Sequence, residues 1–117
     1  MKIQVNTDHN VDSSEALVLL VETEVQSTLE RFQDRLTRVE VHLGEEGHEK
    51  GGGGANKRCL LEARPAGMQP VVVTDFAHTI EQAIAGASEK MESLLNSTFG
   101  RIDGRHADAT IRHGESS

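Results

Sequence analysis

Tryptophan and tyrosine are absent from the 117 residues, and phenylalanine occurs three times. Proteins that hold unpaired bases do so largely on aromatic faces, so base stacking is all but excluded as a binding mode. The same scarcity makes the core aliphatic, built from Val, Leu, Ile, Ala and a little Met. A single cysteine, Cys59, excludes an intramolecular disulfide and suits a reducing compartment. The longest apolar run, ALVLLV from Ala16 to Val21, is far too short to span a bilayer. The opening MKIQVNTDHN holds no apolar run of the signal-peptide kind. These lacks predict a soluble, cytoplasmic protein with no membrane partner.

An excess of positive charge is lacking too. Twelve Lys and Arg face nineteen Asp and Glu, for a net charge of −7. A general nucleic-acid binder draws much of its affinity from neutralising phosphates and is basic overall. This chain is not, and DNA is not expected as a partner. The acidity is uneven, however. Residues 1–30 carry one base against six acids, whereas residues 31–64 carry seven bases against six. Residues 65–100 return to one base against four acids.

A chain of this length is most simply one domain, long enough to bury a core without staples. Ile3 and Val5 alternate with polar neighbours in KIQVN, a short strand. Asp12, Ser13 or Ser14 then offers a helix N-cap. From Ser14 to about Phe32 the period is helical, with Leu17, Leu20, Val21, Val25, Thr28, Leu29 and Phe32 on one face. In TRVEVHLG the period turns to two: Val39, Val41 and Leu43 point one way, Arg38, Glu40 and His42 the other. GEEGHEKGGGGAN reads as a flexible polar loop. KRCLLEARP and VVVTD are two further strands, and the last three strands form an antiparallel meander. A second helix begins near Thr79, with Ile80, Ala83, Ile84, Ala87, Met91, Leu94 and Leu95 as its buried stripe. Gly86 lets that helix approach its neighbour closely, and Gly100 is its expected stop. Residues 104–117 show no apolar period and are expected to be disordered. The fold class is α+β, β-α-β-β-β-α, a four-stranded sheet with both helices on one face and the other face polar and open.

Catalytic chemistry finds no footing in this pattern. The six histidines have no metal-ligand spacing, and no Ser/His/Asp or Cys/His constellation presents itself. KGGGGAN lacks a Lys-Ser/Thr ending and opens no helix, so it is no phosphate-binding P-loop. Cys59 faces inward as a small core residue, and Phe76 reads as a hydrophobic staple. Neither metal nor cofactor is expected, and the chain is not expected to be an enzyme.

The element order, together with LERFQDRLTRVEVHL, DFAHTIEQAI and ASEKMESLLNSTFGR, resembles the ribosome hibernation promoting factor family, also described as ribosome-associated inhibitor A or sigma-54 modulation proteins. The likeness spans residues 1 to about 103 and is to the short form, so the C-terminal extension of longer members is not expected. It implies a fold like the double-stranded RNA-binding domain. It also implies a bacterial, non-enzymatic inhibitor of translation that binds rRNA of the small ribosomal subunit under stress or in stationary phase.

The candidate RNA-binding residues are Arg31, Arg35, Arg38, Lys57, Arg58, Arg64, Lys90 and Arg101. Arginine suits phosphate because its planar fork donates two parallel hydrogen bonds. On this reading Arg31 and Arg35 share a helical face, while Arg38, Arg58 and Arg64 project from the open sheet face. A structural reading competes: cations at a helix C-terminus complement its dipole, and the rest pair with Glu40, Glu62 and Asp34. The helices depart from the family pattern, since Glu15, Glu22, Glu24 and Glu30 line the first and only Lys90 precedes Arg101 on the last. An acidic module of the same fold, serving a protein partner or a homodimer, is therefore the alternative.

Overall fold

Alternating small apolar and charged residues set the middle of the molecule. The computed structural model describes residues 1–9, 11–45 and 56–114, with side chains as far as residue 103. Strands β1 (Lys2–Thr7), β2 (Leu36–Glu45), β3 (Lys57–Pro65) and β4 (Val71–Ala77) lie side by side in chain order in one sheet. β1 runs parallel to β2, which is possible because a helix, α1 (Glu15–Thr28), carries the chain back between them. β2, β3 and β4 form the antiparallel meander read from the sequence. The polar loop expected at residues 46–55 lies outside the described residues.

Period two puts Val39, Val41, Leu43, Cys59, Leu61 and Ala63 on one face, all nearly inaccessible to solvent. α2 (Ile80–Gly114) lies over β3 and β4, and α1 packs against α2 and β1. Val21, Val25, Leu29, Ala83, Ile84, Ala87, Met91 and Leu95 complete the core from the helices. Both helix starts are capped. Ser14 Oγ accepts from the Leu17 N–H at 3.1 Å, and Thr79 Oγ1 accepts from the Gln82 N–H at 3.1 Å.

Gly86 faces the sheet, where the Asp75 carboxyl lies so near that a Cβ on residue 86 would come within 2.8 Å of its Cγ. The close approach expected of this glycine is therefore to β4. Lys90 Nζ holds the same carboxyl at 2.9 Å. Burial pushes the Cys59 thiol up from 9.0 to about 12, the Asp75 carboxylate adding to the effect and Arg58 opposing it. The thiol is thus a neutral, unreactive core group.

Four expectations need correction. α1 ends at Thr28, and Glu30–Phe32 form a separate 3₁₀ turn. The chain tightens there so that Phe32 can enter the core, its ring centroid 5.6 Å from that of Phe99. Leu20 is not in the core: with α1 tilted to bury Val21 and Val25, Leu20 is 40% exposed and Leu19 65%. Gly100 does not stop α2, because it stays out of the left-handed conformation a helix stop would use, and α2 continues to Gly114. Phe76 is no staple: its register opposite Arg58 puts it on the open face.

Candidate nucleic-acid interface

Strand register turns the open face into rows. Lys2, Arg38 and Arg64 stand side by side across β1, β2 and β3, because Lys2 pairs with Arg38 and Arg38 with Arg64. The next row is Gln4, Glu40, Glu62 and Val72, and the one after is Asn6, His42, Leu60 and Thr74. At the far end stand Gly44, Arg58 and Phe76. A basic row therefore borders an acidic one. Lys2 was not among the sequence candidates. Only the parallel pairing of β1 with β2 brings it there, and no local pattern announces that pairing.

The structure divides the eight candidates among three places. Arg31, Arg35, Arg38, Arg64 and Arg101 gather at the end of the sheet where β2 begins and β3 ends. The Arg35 carbonyl accepts from the Ala66 N–H at 3.0 Å, joining the two strand ends. Arg101 lines a shallow groove with Gly67 to Val71 of the adjoining β3–β4 turn. Lys57 and Arg58 lie at the opposite end, six residues from Arg64 along β3, or about 20 Å. Lys90 sits apart on α2, bound to Asp75 and to the Thr74 carbonyl at 2.9 Å.

Arg31 and Arg35 do not share a helical face, because α1 has ended before them. Each lies over an aromatic ring instead: Arg31 Cζ is 4.7 Å from the Phe32 centroid and Arg35 Cζ 3.9 Å from that of Phe99. Such stacking is worth roughly 0.5–1 kcal/mol at an exposed site and leaves the guanidinium edges open to an acceptor.

Most of these cations already hold a carboxylate. Arg35 meets Asp103 at 3.0 Å, Arg38 meets Glu40 at 2.9 Å, and Lys57 meets Glu45 at 3.2 Å. Arg64 bridges Glu40 at 3.5 Å and Glu62 at 3.4 Å. Arg38 also donates to Gln4 Oε1. Arg58 lies with Asp8 over Gly44, whose missing side chain makes room for both: a Cβ there would be 2.7 Å from each. Among the described residues Arg31 and Arg101 make no ion pair. Glu40 is the hub. Its Oε2 takes both arginines, while its Oε1 lies 3.3 Å from His42 Nε2. The pairing with Glu40 and Glu62 foreseen from the sequence is present, but Asp34 has no part in it.

The described residues thus form a four-stranded sheet beneath two helices, its free face striped with cations and carboxylates. The model of the sigma 54 modulation protein / S30EA ribosomal protein family matches residues 3–103, and the chain belongs to that family. The family is ribosome-associated and non-enzymatic. No curated protein matches in sequence. Solved structures share the fold, among them the following two. A ribosomal subunit interface protein from Coxiella burnetii superposes with a TM-score of 0.68 at 16% identity, covering 86% of this chain and 99% of that one. The N-terminal domain of Protein Y from Thermus thermophilus superposes with a TM-score of 0.67 at 20% identity, covering 84% and 99%. No helix among the described residues is long and apolar enough to cross a membrane.

Proposed function

We propose that the protein binds the small ribosomal subunit through rRNA phosphates, in the cytoplasm, and inhibits translation during stress or stationary phase. The observation that carries this reading is the basic corner. The Lys2–Arg38–Arg64 row adjoins Arg31, Arg35 and Arg101, in a member of a ribosome-associated family. Existing ion pairs do not argue against it. The Arg35 and Arg64 side chains are 42% and 45% exposed, so a phosphate can reach them beside the carboxylates they already hold. The net charge of −7 slows approach to rRNA rather than preventing contact. Without Tyr or Trp, recognition is of backbone and shape.

Co-sedimentation with 30S subunits and 70S ribosomes across a salt series tests this. Saturable binding that weakens with salt is expected. Arg38→Gln with Arg64→Gln should weaken binding and lower the salt slope by about 1 per cation removed. Unchanged binding in that double variant overturns the patch.

A second reading rests on Leu19 and Leu20, exposed on α1 beside Thr23 and Glu24. There the fold serves a protein partner or a second copy of itself. Wild-type protein that ignores ribosomes even at low salt favours this reading.

A further inference from the structure

The Glu40 carboxylate is held in a divided way. Its Oε2 is fixed by Arg38 and Arg64, while its Oε1 is turned to His42. Glu62 stands beside Glu40 in the register, its own Oε2 drawn to Arg64. One ligand atom from each of Glu40, His42 and Glu62 lies within 4.8 Å of the other two. We infer that these three side chains form a binding site for a divalent transition-metal ion of the zinc type on the open sheet face.

The chemistry favours that class. One imidazole nitrogen with two carboxylate oxygens is a zinc-type donor set, whereas magnesium and calcium take oxygen alone. Metal–ligand distances of about 2.1 Å set neighbouring ligands about 3.4 Å apart in a tetrahedron. The Glu40 Oε1 to His42 Nε2 separation is 3.3 Å, so two ligands already stand at that spacing. A Glu62 carboxylate oxygen lies within 4.8 Å of both as the third. The side chains of Glu40 and Glu62 are only 15% and 22% exposed, which limits their freedom. Arg38 and Arg64 act as outer partners, orienting the carboxylates by the oxygens the ion does not use. Their charge opposes the ion, which makes this a moderate-affinity site. At least one coordination position stays open for water or a phosphate oxygen. The sequence hides the site because Glu40 and His42 are only two ligands; the Glu62 ligand arrives from the neighbouring strand.

The inference does not depend on ribosome binding and is tested without ribosomes. Untagged protein is titrated with Zn²⁺ by calorimetry and with Co²⁺ by visible absorption, at a pH near 7.5. The expected result is one saturable equivalent that His42→Ala removes, with its Co²⁺ band. Glu40→Gln and Glu62→Gln should each weaken it by at least about 10-fold. Asn6→Ala, a neighbour on the same face, should leave it unchanged and serves as the folding control beside circular dichroism of each variant. Absence of saturable binding in the wild type, or an equivalent that survives His42→Ala, overturns the site.

Discussion

The two faces of the sheet are made of the same strands, yet they obey different energetics. On the helix side, Val39, Val41, Cys59, Leu61 and Ala63 are wholly inaccessible to solvent and each contributes transfer free energy. On the open side, Arg38, Glu40, Glu62 and Arg64 exchange partners over 2.9–3.5 Å while still reached by water. The first face stabilises the protein. The second keeps its guanidinium groups within reach of water, which is what a surface that must meet an incoming anion requires.

The contrast is broken most severely from within. Leu61→Ala should lower stability by about 2–5 kcal/mol, measured by denaturant unfolding. Alkali acts on the same face through Cys59. Its folded value of about 12 lies above the ordinary 9.0, so above pH 9 the unfolded chain releases a proton that the folded one keeps. Stability from this group is therefore full below pH 9 and falls by roughly 1.4 kcal/mol per pH unit as pH rises toward 12. Cys59→Ala should start less stable but decline less steeply over that interval. A parallel decline would show that the thiol is not the cause.

Gly86 sharpens the comparison, because it sits where a helix meets a charged residue on the inner face. Gly86→Ala should destabilise by about 1 kcal/mol, since the new methyl displaces the Asp75 carboxyl from Lys90. In an Asp75→Ala background the same change should stabilise by about 1 kcal/mol, as helix propensity alone then decides. Failure of the sign to invert would remove Asp75 as the reason for the glycine. On the open face, Arg38→Gln with Arg64→Gln should cost about 1 kcal/mol, because it leaves the largely buried Glu40 carboxylate without its arginines, while altering ribosome binding. Truncation after Arg105 should leave the melting temperature unchanged, because the family match ends at 103 and no apolar period follows.

The inner face was legible because alternation needs no partner to be recognised. Val39, Val41 and Leu43 declare their side by spacing alone, as do Cys59 and Leu61. The helix cap at Thr79 was legible for the same local reason, whereas Ser14 was one of three candidates beside Asp12 and Ser13. What the sequence could not convey was register. Lys2 beside Arg38, and Glu62 beside Glu40, follow from strand pairing between distant segments. Leu20 misled because its spacing suits a buried stripe, whereas the tilt that buries Val21 and Val25 turns it outward. Arg58 and Arg64 looked like one patch because they share a strand face, yet the rise per residue holds them about 20 Å apart.

Sheet order equals chain order, β1 to β4. A nascent chain leaving its exit tunnel therefore never has to slip a new strand between two that have already paired. β1 waits for β2; β3 and then β4 dock onto an edge that is already formed, and α2 closes over them last. Until β4 emerges, the growing edge is a bare strand, so assembly in a crowded cell is most exposed to wrong pairing in the interval between β2 and β4. Pauses in synthesis over that interval should be the ones that cost the cell soluble product.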